Sequence, residues 1–445
     1  MKKRVYTLTT RKVLASMLLV VCLAFGVHGQ TELDLENCIK IGLANNLDIK
    51  RARNDALVAS SNEKQSKYEF WPSVNAFANF NFINGLVIDP TTGTPQTETT
   101  QTSSPSIGAD VTIFNGMRNH HNLSRNRLIR DAAQYQVNSS EDDTRIFVTA
   151  FYLEVLTSKE NIKVSQERLN LLNKQLIRAE KRVEVGVENQ EQVFNLKSQI
   201  ARENLRMVNL KNDQDRSKLN LLQLLQLDPS QQYTYATIVV NDEELEEPLE
   251  PYGSILEKAM VYSPSLKSAD LNIRAGEKDF QIAKTDRLPV VSASASYGSF
   301  YSSSNDAEGY LGQLDLNDQK FVGFNLSVPI FNRYRIKNNI QVSKINMLNN
   351  ELAQEQAELD LINNIQSAYQ NLLAAQSTHN AAKENLVALD QSFRFSQTSY
   401  NSGNLDFYTY LESLNNKNTG EIELISSKYS FVLRKRILEI YKGNS

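Results

Sequence analysis

The residues best able to do chemistry in this chain are few, and their spacing forms no catalytic or metal-binding set. His120 and His121 are adjacent, so their rings point to different sides of a helix instead of toward one metal ion. The acidic run from Glu141 to Asp143 is typical of a solvated helix face. Motifs for phosphate binding, zinc-dependent hydrolysis, thiol redox chemistry and serine hydrolysis are absent from the sequence. The sequence therefore predicts no enzyme, no metal site and no cofactor.

The N-terminus predicts export from the cytoplasm. Five basic residues precede an apolar run over residues 13–27, which is short for the roughly 20 residues that a membrane-spanning helix needs. We interpret residues 1–29 as a signal peptide that is cleaved near Gly29-Gln30. Loss of its five basic residues takes the formal net charge from −3 to −8, which argues against nucleic-acid binding. Cys38 is then the only cysteine of the mature chain, and we expect it to pack on the first helix.

The same succession of residues occurs twice, at a constant offset of 217 positions. Phe114-Asn115 corresponds to Phe331-Asn332, and Gly186 corresponds to Gly403. The correspondence runs without net insertion from about Lys50 to Gly186. Self-similarity at a fixed offset indicates a duplicated structural unit, so the same elements are predicted in both copies. We assign residues 30–227 to repeat 1 and residues 252–445 to repeat 2.

Each copy contains two segments in which apolar and polar residues alternate. They span residues 74–82 and 107–113 in repeat 1, and residues 291–301 and 322–330 in repeat 2. Polar stretches at residues 84–106 and 302–319 are predicted to be the loops between them. The result is a β-hairpin at about residues 72–114 and another at about 289–331. Strands of about ten residues with alternating faces suit a transmembrane hairpin, and a soluble sheet with one wet face is the alternative.

Most of the remaining chain is predicted to be helical. A first helix should run from Leu33 to about Tyr68, before Trp71-Pro72. Later in each repeat, proline is absent for more than a hundred residues and apolar residues follow a heptad spacing. Gly186 and Gly403 would end one long helix and begin another, which gives an antiparallel helical hairpin. A helix of about 70 residues is on the order of 100 Å long, which favours an elongated molecule.

Residues 228–251 are predicted to link the two repeats at an equatorial position. The linker contains a short strand candidate from Thr237 to Val240. An acidic run follows, which is typical of a solvated surface segment and comprises Glu243, Glu244, Glu246, Glu247 and Glu250.

The order of these elements resembles the TolC-like outer membrane efflux proteins. The motifs that carry the resemblance are Cys38-Ile39 with Asn45-Asn46, the run from Val328 to Asn332, and the run from Tyr400 to Gly403. Four strands cannot close a barrel, so the chain must oligomerise if it spans a membrane. The resemblance implies an α+β membrane protein that forms a homotrimer. Its twelve-stranded β-barrel would lie in the outer membrane of a Gram-negative bacterium, on a long periplasmic α-helical coiled-coil barrel.

The resemblance also implies partners and a function. A periplasmic adaptor and an inner-membrane transporter would dock at the periplasmic end, and the lipid bilayer would surround the barrel. The protein would be a passive exit duct for small molecules. The periplasmic tip and adaptor contacts would be the turns at Gly186, Val187, Gly403 and Asn404.

Two further sets of residues have implied roles. Glu412, Thr409 and Gln192 match positions of the pore constriction, although other members often carry Asp in place of Thr409 and Gln192, and Leu405 replaces a basic residue. The alternative for Glu412 is a solvated position on an outer helix. Trp71, Phe114 and Phe331 lie where strand meets helix, and either mark the membrane interface or pack at that junction.

Two other functions fit parts of the sequence. Within the same family, the chain could be the exit channel of a type I protein secretion system. Outside it, the heptads alone would suit a soluble periplasmic coiled-coil scaffold. A scaffold stays soluble without detergent, whereas a membrane duct does not.

Overall fold

The computed structural model describes residues 31–88, 93–238, 245, 247–305 and 307–444. The predicted signal peptide lies outside the described residues, as do Glu243, Glu244 and Glu246 of the acidic run. The chain divides into two units, each of which takes segments from both sequence repeats. Of the described residues, those in 31–47, 141–255 and 365–444 belong to the helical unit, and those in 48–140 and 256–364 belong to the sheet unit.

The helices of the two repeats match in length. In chain order they are α1 (Leu35–Asn45), α2 (Leu47–Tyr68), α3 (Arg118–Glu184), α4 (Gln190–Leu225), α5 (Tyr252–Tyr262), α6 (Pro264–Thr285), α7 (Tyr310–Leu316), α8 (Arg335–Asn401) and α9 (Phe407–Lys442). Helices α3 and α8 have 67 residues each, and α4 and α9 have 36. Each pair starts 217 positions apart, which confirms the predicted duplication. Within the described residues, no helix is both long and apolar enough to span a bilayer.

The predicted continuous first helix is wrong in two places. Leu33 lies in a strand, so the helix begins at Leu35, and the helix is interrupted at Asn46. Asn46 leaves the helical conformation (φ −52°, ψ 132°) and separates α1 from α2. The second repeat breaks at the equivalent Ser263 (φ −40°, ψ 113°), where the following Pro264 disfavours a helical conformation. The side chain of Asp34 accepts a hydrogen bond from the backbone N–H of Asn37 at 2.6 Å and so caps α1.

The strands form one antiparallel sheet and one small parallel pair. They are β1 (Thr31–Leu33), β2 (Ser73–Ile88), β3 (Pro95–Phe114), β4 (Tyr233–Tyr235), β5 (Val290–Gly298), β6 (Tyr301–Ser302) and β7 (Gln319–Ser327). The sheet has the order β2-β3-β5-β7, and β6 also pairs with β3. The parallel pair is β1 with β4.

Both predicted loops of the hairpins are partly wrong. In repeat 1, most of residues 84–106 continues β2 and β3, because Thr97, Thr99 and Thr100 pair with Leu86, Asn84 and Ile83. Threonine favours strands because its branched side chain fits a pleated surface. The prediction of a loop rested on the polarity of the segment and not on this preference. In repeat 2, residues 302–319 contain the short helix α7. The last strand ends at Ser327, three residues earlier than expected and before Pro329.

The core of the helical unit surrounds the β1–β4 pair. The hydroxyl group of the buried Tyr152 lies 3.0 Å from the backbone oxygen of Leu33 and 2.7 Å from that of Ala236, and hydrogen bonding there joins α3 to β1 and to the linker. Cys38 is fully buried beside them, and burial raises the pKa of its thiol to about 12, so it packs as an inert residue. The strand predicted from Thr237 to Val240 is wrong at Thr237 and Ile238, which follow the strand β4, and residues 239–240 lie outside the described residues.

Candidate functional site

The strand register gives the sheet one polar face. Ser73, Asp110, Ser294 and Gly323 lie opposite one another across the four long strands. A neighbouring row of the same face has Thr112, Ser292 and Asn325. Because alternate residues share a face of a strand, the polar positions of all four strands coincide. The apolar exceptions on this face are Phe77, Ile83 and Val87 of β2, Val290 of β5 and Phe321 of β7.

The opposite face of the sheet is apolar and exposed. It carries Val74, Ala109, Ala295 and Val322 in one row, and Val111, Ala293 and Phe324 in the next. Val322 and Phe324 are 73% and 75% exposed. Leaving such side chains in water forfeits about 1.5–3 kcal/mol each, so this face needs an apolar environment.

The sheet is also open at both edges. Strands β2 and β7 are the first and last strands of the path, so each has one side without a strand partner among the described residues. Long apolar edge strands with free N–H and C=O groups are templates for pairing with another chain. The protomer therefore presents an incomplete sheet.

Exposed aromatic residues mark one end of the sheet. Trp71 precedes β2, Phe114 is the last residue of β3, and Phe331 follows β7. Because the strands are antiparallel, these three positions lie at the same end of the sheet. They are 69%, 42% and 85% exposed, so packing within the protomer does not cover them.

The two helical turns have the same backbone geometry. Gly186 and Gly403 adopt left-handed conformations with φ of 75° and 76°. The N–H of Val187 donates to Arg182 O at 2.8 Å, and the N–H of Asn404 donates to the equivalent Ser399 O at 2.9 Å. This pattern closes a helix C-terminus with a glycine, as the sequence predicted.

Beside the first turn lies a charged cluster that the sequence did not reveal. The carboxylate of Glu188, 8% exposed, has Oε1 at 3.0 Å from Nε of Arg182. The hydroxyl group of Tyr400 on α8 donates to the same Oε1 at 3.3 Å, and burial, together with the charge of Glu188, raises the pKa of Tyr400 to about 12. With its nitrogen turned toward the carboxylate, the Gln192 amide donates to Oε2 at 3.0 Å. Glu188 therefore connects the first helical hairpin with α8.

The three candidate constriction residues have different neighbours. Gln192 contacts Glu188, as described above. The backbone N–H and the hydroxyl group of Thr409 donate to Asp406 at 3.0 and 2.6 Å, which caps α9. Glu412 is exposed on α9. Of the three, only Glu412 presents an exposed charge.

A second polar cluster lies inside the first helical hairpin. The Arg168 and Glu203 side chains are 12% and 4% exposed, and Nε of Arg168 lies 3.3 Å from Oε2 of Glu203. Ser165 donates to the Glu203 carboxylate, and Arg168 also donates to the Asn415 side chain on α9. Neither this cluster nor that of Glu188 follows a sequence motif, because the partners come from different helices.

This arrangement of repeats, sheet and helical hairpins agrees with the comparisons with known proteins. The model of the outer membrane efflux protein family matches residues 39–226 and 255–434. The chain belongs to this family. It is similar to Outer membrane protein TolC of Escherichia coli (strain K12), with 22% identity over 358 residues, 74% of this chain and 72% of that protein. Protein CyaE of Bordetella pertussis is 22% identical over 235 residues, 53% of this chain and 48% of that protein.

Solved structures share the fold. A crystal structure of CusC has a TM-score of 0.78 at 16% identity, and the alignment covers 92% of each chain. The outer membrane protein VceC from Vibrio cholerae has a TM-score of 0.76 at 15% identity, with 92% of this chain and 96% of that chain covered.

Membership in the outer membrane efflux family decides between the functional classes considered above. The protein is an outer membrane efflux channel of a Gram-negative bacterium and not an enzyme or a soluble scaffold. Channels of this family operate with a periplasmic adaptor and an inner-membrane pump. The predicted fold class, an α+β membrane protein with a duplicated protomer, is confirmed.

Proposed function

We propose that three copies of this chain join their sheets into a closed twelve-stranded barrel that forms the outer exit of the efflux channel. The polar face, with Asp110, Ser294 and Asn325, would line the aqueous passage. The apolar face, with Val322 and Phe324, would contact lipid. The observation that carries the proposal is the register, which separates polar from apolar side chains, with aromatic exceptions such as Phe77 and Phe321, in the part of the sheet where all four long strands pair.

The open edges support joining between copies. In lipid, every backbone N–H and C=O group needs a partner, so a sheet with free edges is not stable there. Pairing β7 of one copy with β2 of the next would satisfy both edges of each protomer. Two copies would reach about eight strands and three copies about twelve. The proposal of three copies follows the family.

The turns at Gly186 and Gly403 would form the periplasmic tip and contact the adaptor. Val187, next to the first glycine, is 65% exposed, and Val185 is 71% exposed. Such exposed apolar side chains at a turn are typical of a contact surface for another protein. We assign the adaptor contact to Gly186, Val187, Gly403 and Asn404, below which the inner-membrane pump would lie.

Glu412 would be the charged residue of the pore constriction. Its exposure on α9 leaves the carboxylate free to face a central passage in a trimer. Three such carboxylates would favour cations over anions. Gln192 and Thr409 would lie near it without a charge, and the Glu188 cluster would tie the first hairpin to α8.

The test combines particle mass with bilayer conductance. The mature protein, purified in detergent, should contain three chains per particle and should aggregate when detergent is removed. In planar bilayers it should conduct, and Glu412→Gln should lower the permeability ratio of cations to anions. Glu423→Gln is the matched control, because Glu423 is exposed on the same face of α9 but lies about three turns farther from the tip, where it would be outside the constriction. A detergent-independent monomer or dimer would refute the barrel, and equal effects of the two variants would refute the role of Glu412.

A further inference from the structure

The short helix α7 is held in place by buried polar contacts. Gln313 on this helix is 1% exposed. Its side-chain oxygen accepts from the N–H of Ser302 at 3.0 Å, and its amide nitrogen lies 3.0 Å from Ser302 O and 2.7 Å from Asn305 O. The hydroxyl group of Ser299 donates to Leu314 O at 2.6 Å. These contacts fix the orientation of α7 against the strand segment that precedes it.

Helix α7 lies beside the apolar face of the sheet. On β3, Ser103 pairs with Tyr301 and Ile107 pairs with Tyr297, and both pairs keep the same register although the strand is interrupted at residues 299–300. Residues four apart on a strand share a face, so both tyrosines continue the apolar face. The hydroxyl groups of Tyr310 on α7 and Ser103 are 3.2 Å apart, and the rings of Tyr310 and Tyr301 have centroids 4.8 Å apart.

These tyrosines lie at the end of the sheet opposite Trp71 and Phe114. From Ser103 to Phe114 the chain advances eleven residues along β3, or about 36 Å at roughly 3.3 Å per residue. In a barrel whose strands tilt by about 40°, that corresponds to a height of about 27 Å, close to the roughly 25 Å of the apolar band of outer-membrane barrels. Trp71 and Phe114 would thus mark one boundary of the membrane, and Tyr301 and Tyr310 the other.

Leu311 faces away from Gln313, about 160° around the helix, whereas Leu316 lies about 60° from Gln313. Leu311 is 78% exposed and Leu316 is 69% exposed. Asp315 lies between them on the helix and is exposed as well. A carboxylate is tolerated at the headgroup level of a barrel far better than at the bilayer midplane, so Asp315 sets a shallow depth. Lys320 is a second charged residue at this end of the sheet, and its Nζ lies 5.8 Å from the ring centroid of Tyr297.

We propose that α7 lies at the outer boundary of the membrane and contacts the lipid headgroup–acyl region through Leu311. The proposal rests on the lipid contact of the apolar sheet face, with which the α7 surface is continuous. A helix that lies in the interface buries its apolar side chains at shallow depth and keeps its charges hydrated. The two sequence repeats thereby differ in how they meet the membrane, because repeat 1 extends its strands where repeat 2 inserts α7.

The experiment measures which side chains contact lipid. Trp71 is the only tryptophan, so Trp71→Phe gives a background without tryptophan. In that background we would introduce Leu311→Trp and reconstitute the full mature protein in phosphatidylcholine vesicles with bromines near the carbonyl end of the acyl chains. Two adjacent residues on opposite faces of β7 provide controls: Phe324→Trp for the lipid face and Asn325→Trp for the aqueous face.

The expected result is strong quenching of Leu311→Trp fluorescence, at least half of that seen for Phe324→Trp, and little quenching of Asn325→Trp. Bromines near the chain end should quench Leu311→Trp much less than bromines near the carbonyl. If Phe324→Trp is quenched and Leu311→Trp is not, α7 faces water or a neighbouring chain and the inference is overturned. If Phe324→Trp and Asn325→Trp are quenched alike, the proposed sheet orientation itself fails.

Discussion

The two helical hairpins share one backbone plan but differ in their interiors. Helices α3 and α4 have the same lengths as α8 and α9, and both turns use a glycine with φ near 75°. In the first hairpin, Arg168 and Glu203 form a buried ion pair. The positions 217 residues later are Asn385 and Gly420.

The second hairpin replaces the charges with close packing. A Cβ atom on Gly420 would lie 2.9 Å from Cδ1 of Leu389 and 3.5 Å from Cδ1 of Leu386. Because Gly420 has no side chain, α8 and α9 can approach closely at the position where the first hairpin contains the ion pair. The same helix lengths and turn geometry accommodate either interior. The turns and the heptad spacing therefore determine the backbone of the hairpin, and the side chains between the helices determine whether they pack through an ion pair or through close apolar contact.

The largest expected difference comes from breaking the buried ion pair. Glu203→Ala would leave the Arg168 guanidinium buried without its carboxylate, which should cost about 3–5 kcal/mol of unfolding free energy. Glu423→Ala, at an exposed glutamate, should change the stability little. Denaturant unfolding of the detergent-solubilised protein, followed by circular dichroism, measures both. The double variant Arg168→Met with Glu203→Leu should recover most of the loss, and failure to recover it would mean that the charges contribute net stability.

Filling the close contact of the second hairpin should have the next largest effect. Gly420→Val would push against Leu389 and Leu386, and overpacking of this kind costs about 1–3 kcal/mol. Gly253 on α5 is the matched control, because a Cβ there meets no atom within 4 Å. Gly253→Ala should leave the unfolding midpoint unchanged or raise it slightly. If both glycine variants unfold at the wild-type midpoint, α8 and α9 do not depend on the close approach.

A smaller effect is expected at the first turn. Glu188→Gln removes the charge that faces Arg182, whose side chain is 37% exposed, so solvent screens the pair and the loss should be about 1 kcal/mol. Local opening should then increase about 5-fold, since 1.4 kcal/mol is a factor of ten. The rate of tryptic cleavage after Arg182 measures it. Glu184→Gln, at an exposed residue before the same turn, should leave the cleavage rate unchanged.

The smallest expected effect is a difference between the two hairpins in how helix capping depends on pH. Asn189 caps α4 and does not titrate, whereas Asp406 caps α9. The hydrogen bonds that Thr409 donates to Asp406 lower the pKa of this carboxyl group below its ordinary value. The cap is therefore fully effective above the pKa that Asp406 has in the unfolded chain, and it weakens as the pH falls through the lower pKa of the folded protein. Hydrogen-exchange protection should fall below about pH 4 in the first turn of α9 but not of α4. Equal loss in both turns would contradict this.

Local patterns were sufficient for much of the protomer. The offset of 217 positions, the glycine turns and the apolar–polar alternation each depend on residues close in sequence, and each corresponds to an observed element. The extension of β2 and β3 through residues 84–106 was missed because a polar, threonine-rich segment is compatible with loop or strand until its partner is known. Helix α7 was missed because seven residues are too few for a periodic signal.

The sequence by itself determined the duplication, the lengths of the long helices and the two-faced character of the strands, because periodicity and turn residues act locally. Only the tertiary structure decided which polar side chains meet. Glu188 contacts Tyr400 across 212 positions, and Arg168 contacts Asn415 across 247. The tertiary structure also decided that the polar faces of the four strands coincide, since register depends on pairing between segments far apart in the chain.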